Sequence, residues 1–430
     1  MPQLTGHRVA EPPHSRAGRR RLGFALAAGL VVLSTSALAL VLLQNTARQS
    51  HLQAHPSALA LRDGTARQNH LQAHPSAPGE RPPTATHTDP RTGPRTSAIA
   101  APRTSSQPDL SGLVGQLIVA RFVGPEPSSA FLARIRAGQI GAVILFGDNT
   151  AGGPGATLRV VHDLQDAAHQ GDKPPLLIMT DQEGGDVRRL PGAPALAPAV
   201  MSSDVIAQSE GQATGELLRS VGINVDLAPV ADVEATSGSF LGPRSFGSTP
   251  ALVATRACAF ARGLASAGVA YTLKHFPGLG LATVSTDAAP VSISASSAEL
   301  RADYGAYETC GASPTALIMV SSASYPSLSG PLPAVMSRAI YRRELPIAVG
   351  RSHLLTISDD LETPALRVQA SPALTAVDAG LDLAMYATTE AGSATAYSKL
   401  LADARAGLLP LHRLVDAVSG IEALKKIVAH

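Results

Sequence analysis

The 430-residue chain balances 35 Lys and Arg against 33 Asp and Glu, a formal net charge of +2, so it offers no strong basic field to hold a nucleic acid. Aromatic residues make up 3% and Trp is absent, which removes the broad stacking platform that single-stranded nucleic acid or a polymeric sugar would need. Hydrophobic residues at 45% and charged residues at 16% describe a globular protein with one unusually apolar segment, and the length allows one large domain with an appendage, or two domains.

The apolar segment comes first. Arg19, Arg20 and Arg21 precede an uncharged run over residues 22–43, long enough at about 1.5 Å per residue to cross a bilayer core of roughly 30 Å. Basic residues before it and few just after it place residues 1–21 in the cytoplasm and the remainder outside. A signal peptide cleaved near Ala37-Leu38-Ala39 is the competing reading. The run is long for a signal peptide, which favours an uncleaved single-pass anchor. No Cys follows it, so lipoprotein attachment is excluded. Export is expected either way.

Residues 44–108 turn rich in Ala, Pro, Ser, Thr, Arg and His. Residues 46–58 recur almost unchanged at 65–77, and two copies are too few for a solenoid. This reads as a duplicated, disordered linker that lacks core-forming residues. His51, His55, His70 and His74 fall in the repeat, where a polar spacer explains them better than a metal site.

From Asp109 onward short apolar runs alternate with helical patterns, for example over 205–221 and 251–268. The candidate strands are 117–122, 142–146, 176–180, 223–227, 271–273, 316–320, 354–358 and 381–386. Continuous apolar strands separated by helices predict a parallel sheet covered on both faces. About eight such units in residues 109–430 predict a (β/α)8 TIM-like barrel rather than an open sheet. No Gly-x-Gly-x-x-Gly follows the first strand to favour a doubly wound fold. The end of the chain, 391–430, reads as helical and packed on the barrel's outside. Cys258 and Cys310 match no metal spacing; they are read as a pair in an oxidising compartment or as two buried thiols.

In a barrel the chemistry sits immediately after each strand. Asp181 to Arg189 follows the third candidate strand; Asp226 lies in the fourth and Asp232 just beyond it. The next loop brings Arg244. Lys274 and His275 then follow the apolar run at 271–273 and precede a break at Pro277-Gly278. Ser321 and Ser322 follow the sixth strand, Asp359 and Asp360 the seventh. Helix capping would account for Asp181 or Asp359 singly, but not for Arg244, Lys274 and His275 as well. Acids and bases at so many exits of one sheet end describe a polar pocket. Carboxylates and cations together suit a ligand with many hydroxyls, each of which donates and accepts. Glycoside cleavage needs one carboxylate at the anomeric carbon and a proton donor on the leaving oxygen. Asp359, at the end of a rigid strand, is placed for the first task.

Asp181-Gln-Glu-Gly-Gly, Arg244-Ser-Phe-Gly, Lys274-His-Phe-Pro-Gly and Ser358-Asp-Asp-Leu together resemble the motifs of glycoside hydrolase family 3, in its single-barrel β-N-acetylhexosaminidase branch. The resemblance covers about 110–387. It implies a retaining mechanism without metal or cofactor, with Asp359 as nucleophile and with Asp181, Arg189, Arg244, Lys274 and His275 binding the sugar. The chain departs from the pattern where the family carries an Asp/His acid–base dyad: those positions hold Ser285 and Asp287. Asp287 is the replacement proton donor, given burial beside Asp359. The competing reading is a catalytically impaired sugar-binding module at the cell surface. A third, a β-glucosidase, would normally carry a second domain that is not evident here. The expected partners are a carbohydrate from cell wall or other glycans and a membrane through residues 22–43, with no nucleic acid, and the expected state is a monomer.

Overall fold

The computed structural model describes residues 109–234, 238–350 and 354–428. The span expected at 22–43 and the linker at 44–108 lie outside these residues. Among the described residues no helix is long and apolar enough to cross a membrane.

Eight parallel strands run in chain order: β1 (Ile118–Ala120), β2 (Ala142–Leu145), β3 (Leu177–Thr180), β4 (Val225–Asp226), β5 (Ala270–Phe276), β6 (Ala316–Val320), β7 (Leu355–Ser358) and β8 (Ala384–Tyr386). Each pairs with its neighbour and β8 pairs back onto β1. The seam between β7 and β8 closes through an Ile357–Leu383 bridge, the Leu383 N–H donating to Thr356 O at 2.9 Å and the Ser358 N–H to Leu383 O at 3.0 Å. The sheet is thus the expected TIM-like barrel. Its strands are buried at almost every position because helices cover the outer face and packed side chains the inner one.

The helices start where the sequence supplies caps. Ser203 Oγ accepts the Ile206 N–H ahead of the helix Asp204–Ser220, and Thr249 Oγ1 accepts the Leu252 N–H ahead of Pro250–Ser266. These two helices touch backbone to backbone: a methyl group on Gly211 would collide with the Phe260 carbonyl. The end of the chain is helical as expected, in two helices, Glu390–Arg405 and Leu411–Val428. Gly407, at φ 73°, and Pro410 separate them, the first by leaving helical φ and the second by lacking a donor.

Several strand boundaries differ from expectation, and two of them bear on the site. Pro229 has no N–H to give to a ladder, so regular β4 pairing ends at Asp226 instead of 227. On the other side β5 runs on to Phe276, its Thr272 N–H bonding Ala228 O at 2.8 Å. Lys274 and His275 therefore belong to the strand itself and not to the loop after it.

Cys258 and Cys310 are joined in a disulfide, Cα to Cα 5.7 Å, tying Pro250–Ser266 to the helix Gly305–Cys310 across 52 residues of chain. Closing so long a loop restricts the unfolded chain, so replacing both by Ser is expected to cost about 2–5 kcal/mol in urea unfolding. An unchanged urea midpoint would show that the bond does not hold these helices.

Candidate active site

The first part of the site is a hairpin. Asp181 leaves β3, and Gln182–Gly184 folds back antiparallel on Val187–Arg188, returning Arg189 to Asp181 at 3.5 Å. Gly184 and Gly185, at φ 104° and 57°, make that turn. The buried Gln182 amide locks the hairpin: Nε2 donates to Leu190 O and Ala193 O, while Oε1 accepts the N–H groups of Arg189 and Leu190. Alternation along the strand sends Asp181 and Glu183 to the opposite side from Gln182.

There they meet β5. Lys274 Nζ lies 2.9 Å from Asp181 Oδ1 and 2.5 Å from Glu183 Oε1, with Lys274 and Glu183 only 2% and 1% exposed at their side chains. Arg244 grips Glu183 with two bonds, Nε to Oε2 at 2.8 Å and Nη2 to Oε1 at 2.9 Å. Burial alone would favour the neutral acid, but Lys274 and Arg244 outweigh it and hold the Glu183 carboxyl down to about 2.

Lys274 and His275 are consecutive in a strand, so regular pleating would send them to opposite faces. Both line the cavity, because the register of β5 against β6 shifts between Leu273 and Phe276. Asp232 then fixes the His275 ring. Its Oδ2 sits 2.7 Å from Nδ1, and its Oδ1 accepts the N–H groups of His275 and Leu279 at 3.0 and 2.7 Å. That leaves Nε2 as the ring nitrogen for a ligand.

Asp359 closes the floor. It directly follows β7, its N–H bonded to Val320 O at 3.2 Å, and its Oδ1 accepts the Asp360 N–H at 2.9 Å. Burial raises its pKa; His275 pulls it back, and the Asp287 charge pushes it up again. Asp287 is not buried as expected: it stands exposed at the rim on the loop after β5, its carboxylate accepting from Ser285 Oγ at 3.2 Å, while the adjoining Thr286 is the buried one, with Oγ1 3.5 Å from Asp359 Oδ2.

A cavity of about 380 Å³ collects Asp181, Arg189, Arg244, Lys274, His275, Asp287 and Asp359, the seven residues given catalytic or sugar-binding roles from the sequence, and Asp360; Asp226, Asp232, Ser321 and Ser322, also read at strand exits, do not line it. That volume is within the range of small-ligand sites. Neither Asp181 nor Asp359 serves as a helix N-cap; Asp181 is held in ion pairs instead. Sequence reasoning missed Glu183 as a site residue, although its place two positions after Asp181 puts it on the same face. It noted Asp232 at a strand exit without seeing that it orients His275. It also passed over Phe146 and Phe240, which line the cavity and carry the guanidinium groups of Arg189 and Arg244 at 5.3 and 6.0 Å from their ring centroids.

Similarity to known proteins covers the barrel. The model of the glycosyl hydrolase family 3 N-terminal domain matches 110–424. An uncharacterized secreted glycosyl hydrolase of Arthroderma benhamiae is 32% identical over 342 residues, 76% of this chain and 96% of that protein. The β-hexosaminidase LpqI of Mycobacterium tuberculosis is 33% identical over 58% of this chain and 68% of its own length. Among solved structures, a family 3 β-N-acetylglucosaminidase from Paenibacillus sp. str. FPU-7 superposes with a TM-score of 0.71 at 30% identity, covering 74% of this chain and 62% of that one. A β-N-acetylhexosaminidase from Beutenbergia cavernae gives 0.66 at 30% identity, over 74% of this chain and 98% of that one. The chain belongs to glycosyl hydrolase family 3 and is a glycosidase of that family.

Proposed function

We propose that the protein is an exported β-N-acetylhexosaminidase that releases β-linked N-acetylglucosamine, or a related hexosamine, from cell-wall or other glycans with retention of configuration. The observation that carries this reading is the convergence of Asp359, Asp287 and the Asp181–Glu183–Lys274–Arg244 ion cluster on one cavity of about 380 Å³. The sugar specificity is supported by the relatives named β-hexosaminidase and β-N-acetylglucosaminidase.

In this mechanism Asp181, Arg189, Arg244, Lys274 and His275 hold the pyranose hydroxyls. An ionised Asp359 oxygen attacks the anomeric carbon while the glycosidic C–O bond breaks and Asp287 gives its proton to the leaving oxygen. Water then attacks the glycosyl-enzyme, its proton passing to Asp287, and the Asp359 carboxylate leaves. The two acids share one electrostatic environment, in which the charge of Asp287 pushes the Asp359 carboxyl up.

Export is supported by the apolar run at 22–43, the Cys258–Cys310 disulfide and the secreted relative. Fractionation of the producing cells tests it: the chain is expected on the outer face of the membrane, held by residues 22–43. Recovery from the cytosol would contradict it.

The enzyme is expected to hydrolyse an aryl N-acetyl-β-glucosaminide faster than the matching β-glucoside, the β-anomer appearing first by proton NMR. Asp287→Ala is expected to lower kcat by about 10²–10⁴-fold for a poor leaving group and far less for dinitrophenolate, which leaves without a proton. Sugar binding without turnover, together with no effect of Asp287→Ala, would instead establish a binding module.

A further inference from the structure

Beneath the hairpin that carries Asp181 and Glu183 lies an acid that the mechanism above does not use. Asp226, at the end of β4, is 0% exposed. Its Oδ1 accepts the Gln182 N–H at 2.9 Å, in the peptide between those two sugar-site carboxylates. Its Oδ2 is buried and has no hydrogen-bond partner. An ionised carboxylate with one oxygen dry and unbonded costs several kcal/mol in a protein interior, and the group escapes that cost by keeping its proton.

The charges that face it point the same way. Among the described residues, Lys274 on the neighbouring β5 is the main opposite charge acting on it, and it is already committed to Asp181 and Glu183 at 2.9 and 2.5 Å. Asp181 and Glu183, on the turn after β3, repel a further negative charge. Burial first, and then these two acids, raise the Asp226 carboxyl to about 8.

We infer that Asp226 is a positioning residue that works as the neutral acid, pinning the Asp181–Glu183 turn through the Gln182 N–H while leaving Lys274 wholly to those two carboxylates. Two requirements follow. The side chain must accept one hydrogen bond, and it must carry no charge. Asparagine meets both, whereas leucine, of similar size, meets only the second.

A folded-state pKa raised above the unfolded value means that the native state holds the extra proton. Stability from this group is therefore full below about 3.8 and falls as pH rises towards about 8. Asp226→Asn is free of that fall and is expected to gain stability relative to the parent as the pH is raised from 4 to 8.

Infrared difference spectra and steady-state kinetics on the full-length protein test the proposal. The wild-type minus Asp226→Asn spectrum at pH 7 is expected to contain a protonated-carboxyl C=O band that vanishes as the pH is raised through about 8. A difference showing only carboxylate bands at pH 7 would overturn it. This arm is blind to activity, so it stands or falls separately from the hexosaminidase reading on which the kinetic arm rests. At pH 6, Asp226→Asn is expected to keep kcat and KM within about threefold of wild type, whereas Asp226→Leu raises KM about tenfold, the loss of one hydrogen bond. Equal impairment of both variants, or an unchanged KM in Asp226→Leu, would refute the positioning role. If Asp226→Leu does not fold, the infrared band and the Asp226→Asn constants decide.

Discussion

Asp359→Asn is expected to lower kcat by roughly 10⁴–10⁶-fold on an aryl N-acetyl-β-glucosaminide while leaving KM for the sugar within a few-fold, because the amide cannot form the glycosyl ester although it fills the same space. The residue is fixed from three sides: β7 delivers it, its Oδ1 takes the Asp360 N–H, and its backbone N–H is tied to Val320 O on the adjoining strand. The substitution keeps the acceptor atom for Asp360 and should leave the fold intact, which unfolding curves of the two proteins would confirm. A variant with more than about a hundredth of parental turnover would remove Asp359 from the role of nucleophile.

Lys274→Met addresses the ion cluster. Methionine approximates the lysine's length and apolar stem but abandons Asp181 and Glu183, of which Glu183 is 1% exposed and cannot turn to water. Breaking a buried pair from one side leaves an uncompensated charge, and the expected loss is about 3–5 kcal/mol in urea unfolding at pH 7. Arg244 still neutralises Glu183 in part, which favours the lower end of that range. The pH dependence carries its own sign. Glu183 titrates in the folded protein at about 2 against an ordinary value of 4.5, so its contribution is fully present above 4.5 and is lost as the pH falls towards 2. Removing Lys274 raises that folded value and moves acid unfolding to higher pH. Equal stability of the two proteins from pH 7 to pH 3 would show that the cluster does not support the fold.

The barrel was legible because parallel strands buried on both faces must read as uninterrupted apolar runs, and eight of them stand out between 117 and 386. The strand ends were less legible than the strands. The boundary at β4 depends on a proline three residues past the last regular pair, and the β5 register shift, which turns Lys274 and His275 to one cavity, follows from pairing across the sheet that no local pattern reports. The same division holds in the site. Asp181, Arg189, Arg244, Lys274, His275, Asp287 and Asp359 stand next to strand ends or within recognisable motifs, so position alone marks them. Glu183, Asp232 and Asp226 act by what they touch: two cations, an imidazole and one backbone N–H. Such roles require distances between residues 43 to 91 positions apart, which only the folded chain supplies. Cys258 and Cys310 are a further case, since spacing left pairing open and the packing of two outer helices brings them together.

The central claim, that the strand ends form one sugar cup with Asp359 as the attacking group, is tested most directly by trapping the intermediate. The enzyme would be incubated with an activated 5-fluoro-N-acetylglucosaminide, whose fluorine slows both steps while the good leaving group keeps the first one fast, and then digested for mass spectrometry. The account requires one added glycosyl group, on the peptide containing Asp359 and on that side chain. A glycosyl group on any other residue, or turnover of the reagent with inversion and no labelled peptide, would contradict it.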